Sequence, residues 1–144
     1  MKTHTVGFIF DPTLSRVVLI RKNRPAWQAG KLNGIGGKIE PGEESIDCMV
    51  RETREETGLT TKPNQWLFLG TIHRDEYGSV VDFYATVHTS TPEELSSHTD
   101  EQVEWCEVAR LPDRVLSNIP WLVAFARDAL QSGAKHTFVV EYKK

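Results

Sequence analysis

The chain has 144 residues, 39% of them hydrophobic and 26% charged, which suffices for one domain with a buried core and is too short for two ordinary ones. Lys and Arg number 17 against 20 Asp and Glu, a formal charge of −3, and no basic block interleaves with aromatics, so extended nucleic-acid binding is not expected. No run of about 18 apolar residues occurs and the N-terminus lacks signal-peptide organisation, so a soluble, uncleaved, cytoplasmic protein with no membrane partner is expected.

Residues 6–10 and 16–22 are apolar and β-branched around an Asp11-Pro12 turn, which predicts a hairpin. Residues 24–36 read as loop with one short strand. Pro41-Gly42 then marks a tight turn with glycine at the position that needs positive φ, and Gly58 stands where a helix would end in a left-handed cap. The helix between them is expected over Ser45–Thr57.

On a 100° wheel Ile46, Met49, Val50, Thr53 and Thr57 form one packing stripe, while Glu52, Glu55 and Glu56 share roughly 100° of arc elsewhere. Like charges at i, i+3 and i+4 destabilise an exposed helix by a few tenths of a kcal/mol per pair. A bound cation reverses that penalty, and hard ions such as Mg²⁺ take oxygen ligands while keeping water and phosphate oxygens in their remaining positions. Glu52, Glu55 and Glu56 are the candidate metal ligands. The competing reading is a solvated acidic face paired with Arg51 and Arg54.

Two further strands are expected at 66–74 and 80–88 around Tyr77-Gly78-Ser79, with Val81, Phe83, Ala85 and Val87 alternating onto a single buried face. Residues 89–99 read as a polar loop and 102–108 as a strand. A helix over 119–130 has Asn118 available as N-cap and Pro120 in its first turn, and 137–142 would add an edge strand. Cys48 and Cys106 form neither a disulfide framework nor a zinc spacing, which fits a reducing compartment. Cys48 has no activating His nearby in sequence to make it a nucleophile.

The stretch from Gly37 to Leu59 resembles the Nudix box: Gly37, Glu43, Arg51, Glu52, Glu55, Glu56, Gly58 and Leu59 occupy the pattern's fixed positions. Thr53 stands where that family prefers an aliphatic residue. The resemblance implies the α/β Nudix fold, a mixed β-sheet between α-helices, as a single domain over residues 1–144. It implies hydrolysis of a nucleoside diphosphate linked to another moiety with Mg²⁺, or Mn²⁺, as cofactor, the ion being held by Glu52, Glu55, Glu56 and Gly37. One acid of the set acts as base.

Glu101 resembles an acid that some members bring from the loop before a late strand, as base or ligand; the alternative is an exposed loop acid. Glu43 and Arg51 are assigned a structural pairing that presents Gly37 and Lys38 to phosphates, with Gly58 ending the helix. Lys38, Arg21 and Arg24 are candidate phosphate contacts. Residues 32–38 resemble the segment leading into the box in pyrophosphatases that clear oxidised purine nucleoside triphosphates, which makes Asn33, Trp121 and Asn118 candidate base contacts. An aspartate pair that reads the oxidised base in the human type is absent between Asp113 and Trp121.

The favoured substrate is therefore a nucleoside triphosphate, oxidised or not. Tyr77, 18 residues past Leu59, points to a dinucleoside polyphosphate instead, and a catalytically silent nucleotide sensor is the reading from another class. The partner is a small nucleotide, and the chain is a monomer or homodimer.

Overall fold

Val17 to Ile20 are apolar at every position rather than at alternate ones, which suits a strand covered on both faces. The computed structural model, which describes residues 2–89, 95–133 and 136–143, supplies both covers. Its strands are β1 (His4–Phe10), β2 (Arg16–Arg21), β3 (Leu32–Asn33), β4 (Ile35–Lys38), β5 (Leu67–Arg74), β6 (Ser79–Val87), β7 (Val103–Glu107) and β8 (Phe138–Tyr142). Its two long helices are α1 (Ser45–Thr57) and α2 (Ile119–Ser132).

The strands form one mixed sheet in the order β3-β2-β1-β6-β5-β8, with β4 also paired to β1 and β7 to β2. β1 runs parallel to β6, and β5 parallel to β8; the other pairings are antiparallel. On one face Phe8, Phe10, Leu19 and Phe83 pack against Ile119, Leu122 and Ala126 of α2. On the other, Ile9, Val18, Ile20 and Tyr84 pack with Met49 of α1 and with Trp66. At about 1.5–3 kcal/mol for each large side chain removed from water, these two cores are what holds both helices to the sheet.

Two covered faces correct the expectation that β6 buries only one side. Phe83 and Ala85 enter the α2-side core and Tyr84 the α1-side core, while Asp82 and Thr86 are buried as well. Val87, expected inside, is 41% exposed at the last position of the strand, where it still pairs with Phe10 of β1 but lies beyond the end of the pairing with β5. The glycine-rich stretch read as loop with one short strand holds two, β3 and β4. Asn118 does occupy the N-cap of α2, but its side chain makes no cap hydrogen bond. β8 lies at the sheet edge with Val139 71% exposed. Residues 90–94 of the expected polar loop lie outside the described residues.

α1 begins after Gly42, at φ 79°, and ends at Gly58, at φ 77°, whose N–H donates to the Arg54 carbonyl. Thr53 is fully buried without an orphaned hydroxyl, since its Oγ1 donates to the Met49 carbonyl at 2.8 Å. A bidentate strap fixes the approach to the helix: Arg51 Nε and Nη2 donate to Glu43 Oε2 and Oε1 at 2.7 and 2.9 Å. Arg51 Nη2 also donates to the Lys38 carbonyl at 3.1 Å, so one guanidinium ties the turn to both β4 and α1.

Two outcomes follow for stability. A methyl group at Gly36 would fall on the Thr5 carbonyl oxygen, which is backbone and cannot swing aside. Gly36→Ala should therefore lose about 2 kcal/mol or more in urea denaturation. The Arg51 guanidinium holds the Glu43 carboxyl down to about 2 from an ordinary 4.5. A depressed folded-state value stabilises the protein above the unfolded pKa, and that contribution is lost as pH falls from about 4.5 toward 2. Glu43→Gln should flatten the stability-pH curve across that interval, and an unchanged slope would show that the strap contributes nothing.

Candidate active site

α1 and β4 lie so close that Gly37 offers no room for a side chain: a Cβ there would meet Glu52 Oε1 at 2.5 Å. Glu56, one turn further along, is 6% exposed and accepts the Gly36 N–H on Oε1 at 2.9 Å. Seven residues are nearly two whole turns, so Glu56 lies almost in line with Met49 and is carried inward with the packing stripe. Burial first, and then the charge of Glu52, push its carboxyl up to about 8. Burial likewise raises Glu52 above its ordinary value, against the opposing pull of Arg51.

Glu55 differs from the other two. Its side chain is 54% exposed and accepts Arg51 Nη1, which also donates to Glu52 Oε1 at 3.0 Å. The three glutamates are thus neighbours in different surroundings, and among the described residues no three acidic, histidine or cysteine side chains converge tightly enough to hold a metal ion. The donor set nonetheless fits a hard divalent cation. It is all oxygen, two of its members, Glu52 and Glu55, already meet at the Arg51 guanidinium, and the third, Glu56, is buried with no ammonium or guanidinium bonded to it among the described residues. Turning the exposed Glu55 inward costs a surface contact only.

Beside this stands a cavity of about 570 Å³ whose floor includes Gly34, Gly36, Gly37 and Lys38. Val6, Ile72, Val81, Phe83 and Leu116 give it apolar walls, while His4, Gln28, Asn33 and Asn118 add polar groups. At its rim Trp27 and Tyr77 stack with centroids 6.3 Å apart and planes 3° from parallel. Arg74 lies 5.6 Å from the Trp27 ring and 4.6 Å from that of Tyr142. The residues left exposed here, Trp27 at 48% and Tyr77 at 56%, are the kind that stack on a flat ligand.

Of the sequence candidates, Asn33, Lys38, Arg24 and Asn118 line this cavity, and Gly37 joins it to Glu52. Trp121 does not line it; its ring meets Phe138 edge-on at 5.3 Å, part of the packing between α2 and β8. Arg21 is likewise absent from the lining. Asn33 is already engaged, accepting the Gly34 N–H on Oδ1 and donating Nδ2 to Gln28.

Glu101 is no exposed loop acid. It is 5% exposed, with Oε1 3.0 Å from Lys22 Nζ and Oε2 2.6 Å from the Asn23 amide. Burial opposes its ionisation, but the Asn23 N–H and the Lys22 ammonium hold it below its ordinary value. Cys48 is buried, and that burial pushes its thiol up to about 11, which leaves it inert at neutral pH. His4, Trp27, Gln28 and Arg74 escaped the sequence reading; only Trp27 carried a signal, as a large aromatic inside a polar loop.

The NUDIX domain family model matches residues 1–127. The CTP pyrophosphohydrolase of Escherichia coli (strain K12) is 27% identical over 116 residues, which span 76% of this chain and 82% of that one. The NAD-capped RNA hydrolase NudC of Chromobacterium violaceum is 32% identical over 71 residues, 43% of this chain, and the match spans only 27% of that longer protein. Among solved structures, a NUDIX hydrolase from Nitrosomonas europaea superposes with a TM-score of 0.75 over 100% of this chain and 81% of that one, at 12% identity, which speaks to fold alone. With the box residues gathered on one glycine strand and helix, and the family model covering most of its length, this chain belongs to the Nudix family of hydrolases that act on phosphorus-containing anhydrides.

Proposed function

We propose that this Nudix chain hydrolyses a nucleoside triphosphate to the monophosphate and pyrophosphate with a divalent cation, Mg²⁺ or in its place Mn²⁺. The observation that carries this reading is the shared use of β4. Its glycine backbone floors the aromatic-rimmed cavity and also receives Glu52 and Glu56. A base in the cavity therefore has its phosphate chain directed at the carboxylates. The printed activity of the Escherichia coli relative, CTP pyrophosphohydrolase, is of this reaction class.

Each group of residues has a separate task. Glu52, Glu55 and Glu56 would hold the cation, which when bound screens phosphate charge and acidifies the attacking water. Arg51 orients Glu52 and Glu55 from a fixed position on Glu43. The Gly36 N–H fixes one oxygen of Glu56 and so aims the other. Lys38 and Arg24 line the cavity as cationic contacts for phosphate oxygens. Asn118, with no cap bond to satisfy, is free to meet a base edge, and Trp27 and Tyr77 to stack on its face.

The exposed Trp27 and Tyr77 pair also suits a second base, which favours dinucleoside polyphosphates as the next substrate class. A screen of ordinary and oxidised nucleoside triphosphates, dinucleoside polyphosphates and nucleotide sugars, with products identified by mass, separates the two. Monophosphate plus pyrophosphate is the expected outcome. A nucleotide that binds with no product formed under Mg²⁺ or Mn²⁺ would point to a sensor instead.

Replacement of Glu56 by Gln, or of Glu55 by Gln, should cut kcat/KM by about 10²-fold or more while circular dichroism stays native. Chelation should abolish turnover and added Mg²⁺ restore it. Near-normal rates for either variant at saturating Mg²⁺ would remove these glutamates from the metal site.

A further inference from the structure

The segment between β2 and β3 contributes Lys22, Arg24, Trp27 and Gln28 to the cavity wall. Its internal ties are local: Gly30 N–H to the Lys22 carbonyl, Lys22 N–H to the Lys31 carbonyl, Lys31 N–H to the Gln28 carbonyl, Asn33 Nδ2 to Gln28 Oε1, and a short helical turn at Ala26–Gln28. Much of its fastening comes from the segment that leads into β7. Glu101 Oε2 accepts the amides of Asn23 and Arg24 at 2.6 and 3.4 Å, and Oε1 takes Lys22 Nζ at 3.0 Å. Asp100 reinforces this through Arg24 Nη2, 2.6 Å from its carboxylate, and Asn23 Nδ2, 2.9 Å from its carbonyl.

The same segment reaches the carboxylate helix. The Ser96 and His98 amides donate at 3.4 Å to the Thr57 and Glu56 carbonyls. Gly58 leaves the space that the His98 ring fills, its Nε2 lying 2.5 Å from where a Cβ would be. Residues 96–101 therefore span from the end of α1 to the cavity wall.

We propose that Glu101 is a positioning residue: its carboxylate latches residues 22–28 into place as the cavity wall, so that nucleotide affinity depends on it and the chemical step does not. Both of its oxygens are engaged by fixed donors, whereas a general base must turn a lone pair toward its water. Removing the carboxylate would orphan two amides and leave a largely buried ammonium unpaired, an arrangement relieved by opening the segment to solvent. The proposal rests on the nucleotide-hydrolase reading only for its kinetic consequence; the latch itself is a property of the free protein.

Hydrogen exchange of the metal-free, nucleotide-free full chain tests the latch directly. In Glu101→Ala the amides of residues 22–30 should exchange about tenfold faster or more, with Glu101→Gln intermediate because it keeps one acceptor oxygen. With Mg²⁺ and the best nucleotide from the screen, Glu101→Ala should raise KM about tenfold, hold kcat within about threefold, and leave the acid limb of the pH profile in place. If the alanine variant does not fold, Glu101→Asp, which keeps the charge and shortens the reach, carries the same comparison. Unchanged exchange, or a kcat loss of about 10²-fold or more at constant KM with a displaced acid limb, would overturn the proposal. Should the wild type hydrolyse no nucleotide, the functional reading falls, and the latch is judged by exchange alone.

Discussion

The close approach of α1 to β4 is the constraint on which the site depends. Two adjacent residues without side chains let the helix sit so near the strand that Glu52 packs against Gly37 and Glu56 reaches the Gly36 amide. A β-strand normally fills such a gap with side chains. Here the gap is filled by carboxylates, and the strand backbone, rather than any side chain, fixes where they point. The same backbone also lines the cavity, so helix and cavity hold a common reference in β4.

That packing has an electrostatic cost. Four glutamates, Glu43, Glu52, Glu55 and Glu56, crowd one end of a protein that is already net negative, and one arginine is bonded to three of them. Arg51 pairs with Glu43 and Glu52 in sheltered positions, where a bidentate contact counts for more than a surface pair. Among the described residues Glu56 accepts a backbone amide and no cationic side chain, and burial first, with the charge of Glu52 after it, raises its proton affinity. A cation entering between Glu52 and Glu56 would relieve that imbalance, which couples ligand binding to the stability of the fold.

Local features of the chain were legible where local chemistry decides them. The turn glycine at Gly42 and the cap glycine at Gly58 fixed both ends of α1, because positive φ excludes most other residues. The hairpin of β1 and β2 showed through its β-branched runs. Strand β4 did not, since Gly36 and Gly37 carry no apolar pattern and its pairing with β1 is a tertiary fact. The alternation along β6 suggested one covered face; the second cover is α1, and nothing within β6 announces which helix will lie on it. Glu101 was visible as a candidate acid, but its partner Lys22 stands 79 positions away and only the fold brings the two together. Trp27 and Tyr77 likewise carry separate signals that become one surface only when the β2–β3 segment crosses the β5–β6 turn.

The division of charge across β4 then bears on the kind of molecule the site suits. On the cavity side Lys22, Arg24, Lys38 and Arg74 are cationic and the other polar groups, His4, Gln28, Asn33 and Asn118 among them, include no carboxylate; on the helix side the groups are carboxylates. A plain polyanion would meet the carboxylates unscreened, and an apolar ring alone would gain nothing from them. A flat ring joined to a phosphate chain satisfies both halves at once, with its ring beside Trp27 and its charge at the boundary. Under the proposed function the lysines, arginines and a bound cation would act together at that boundary, so affinity from the cavity would orient a bond at the helix without the helix having to bind the substrate by itself.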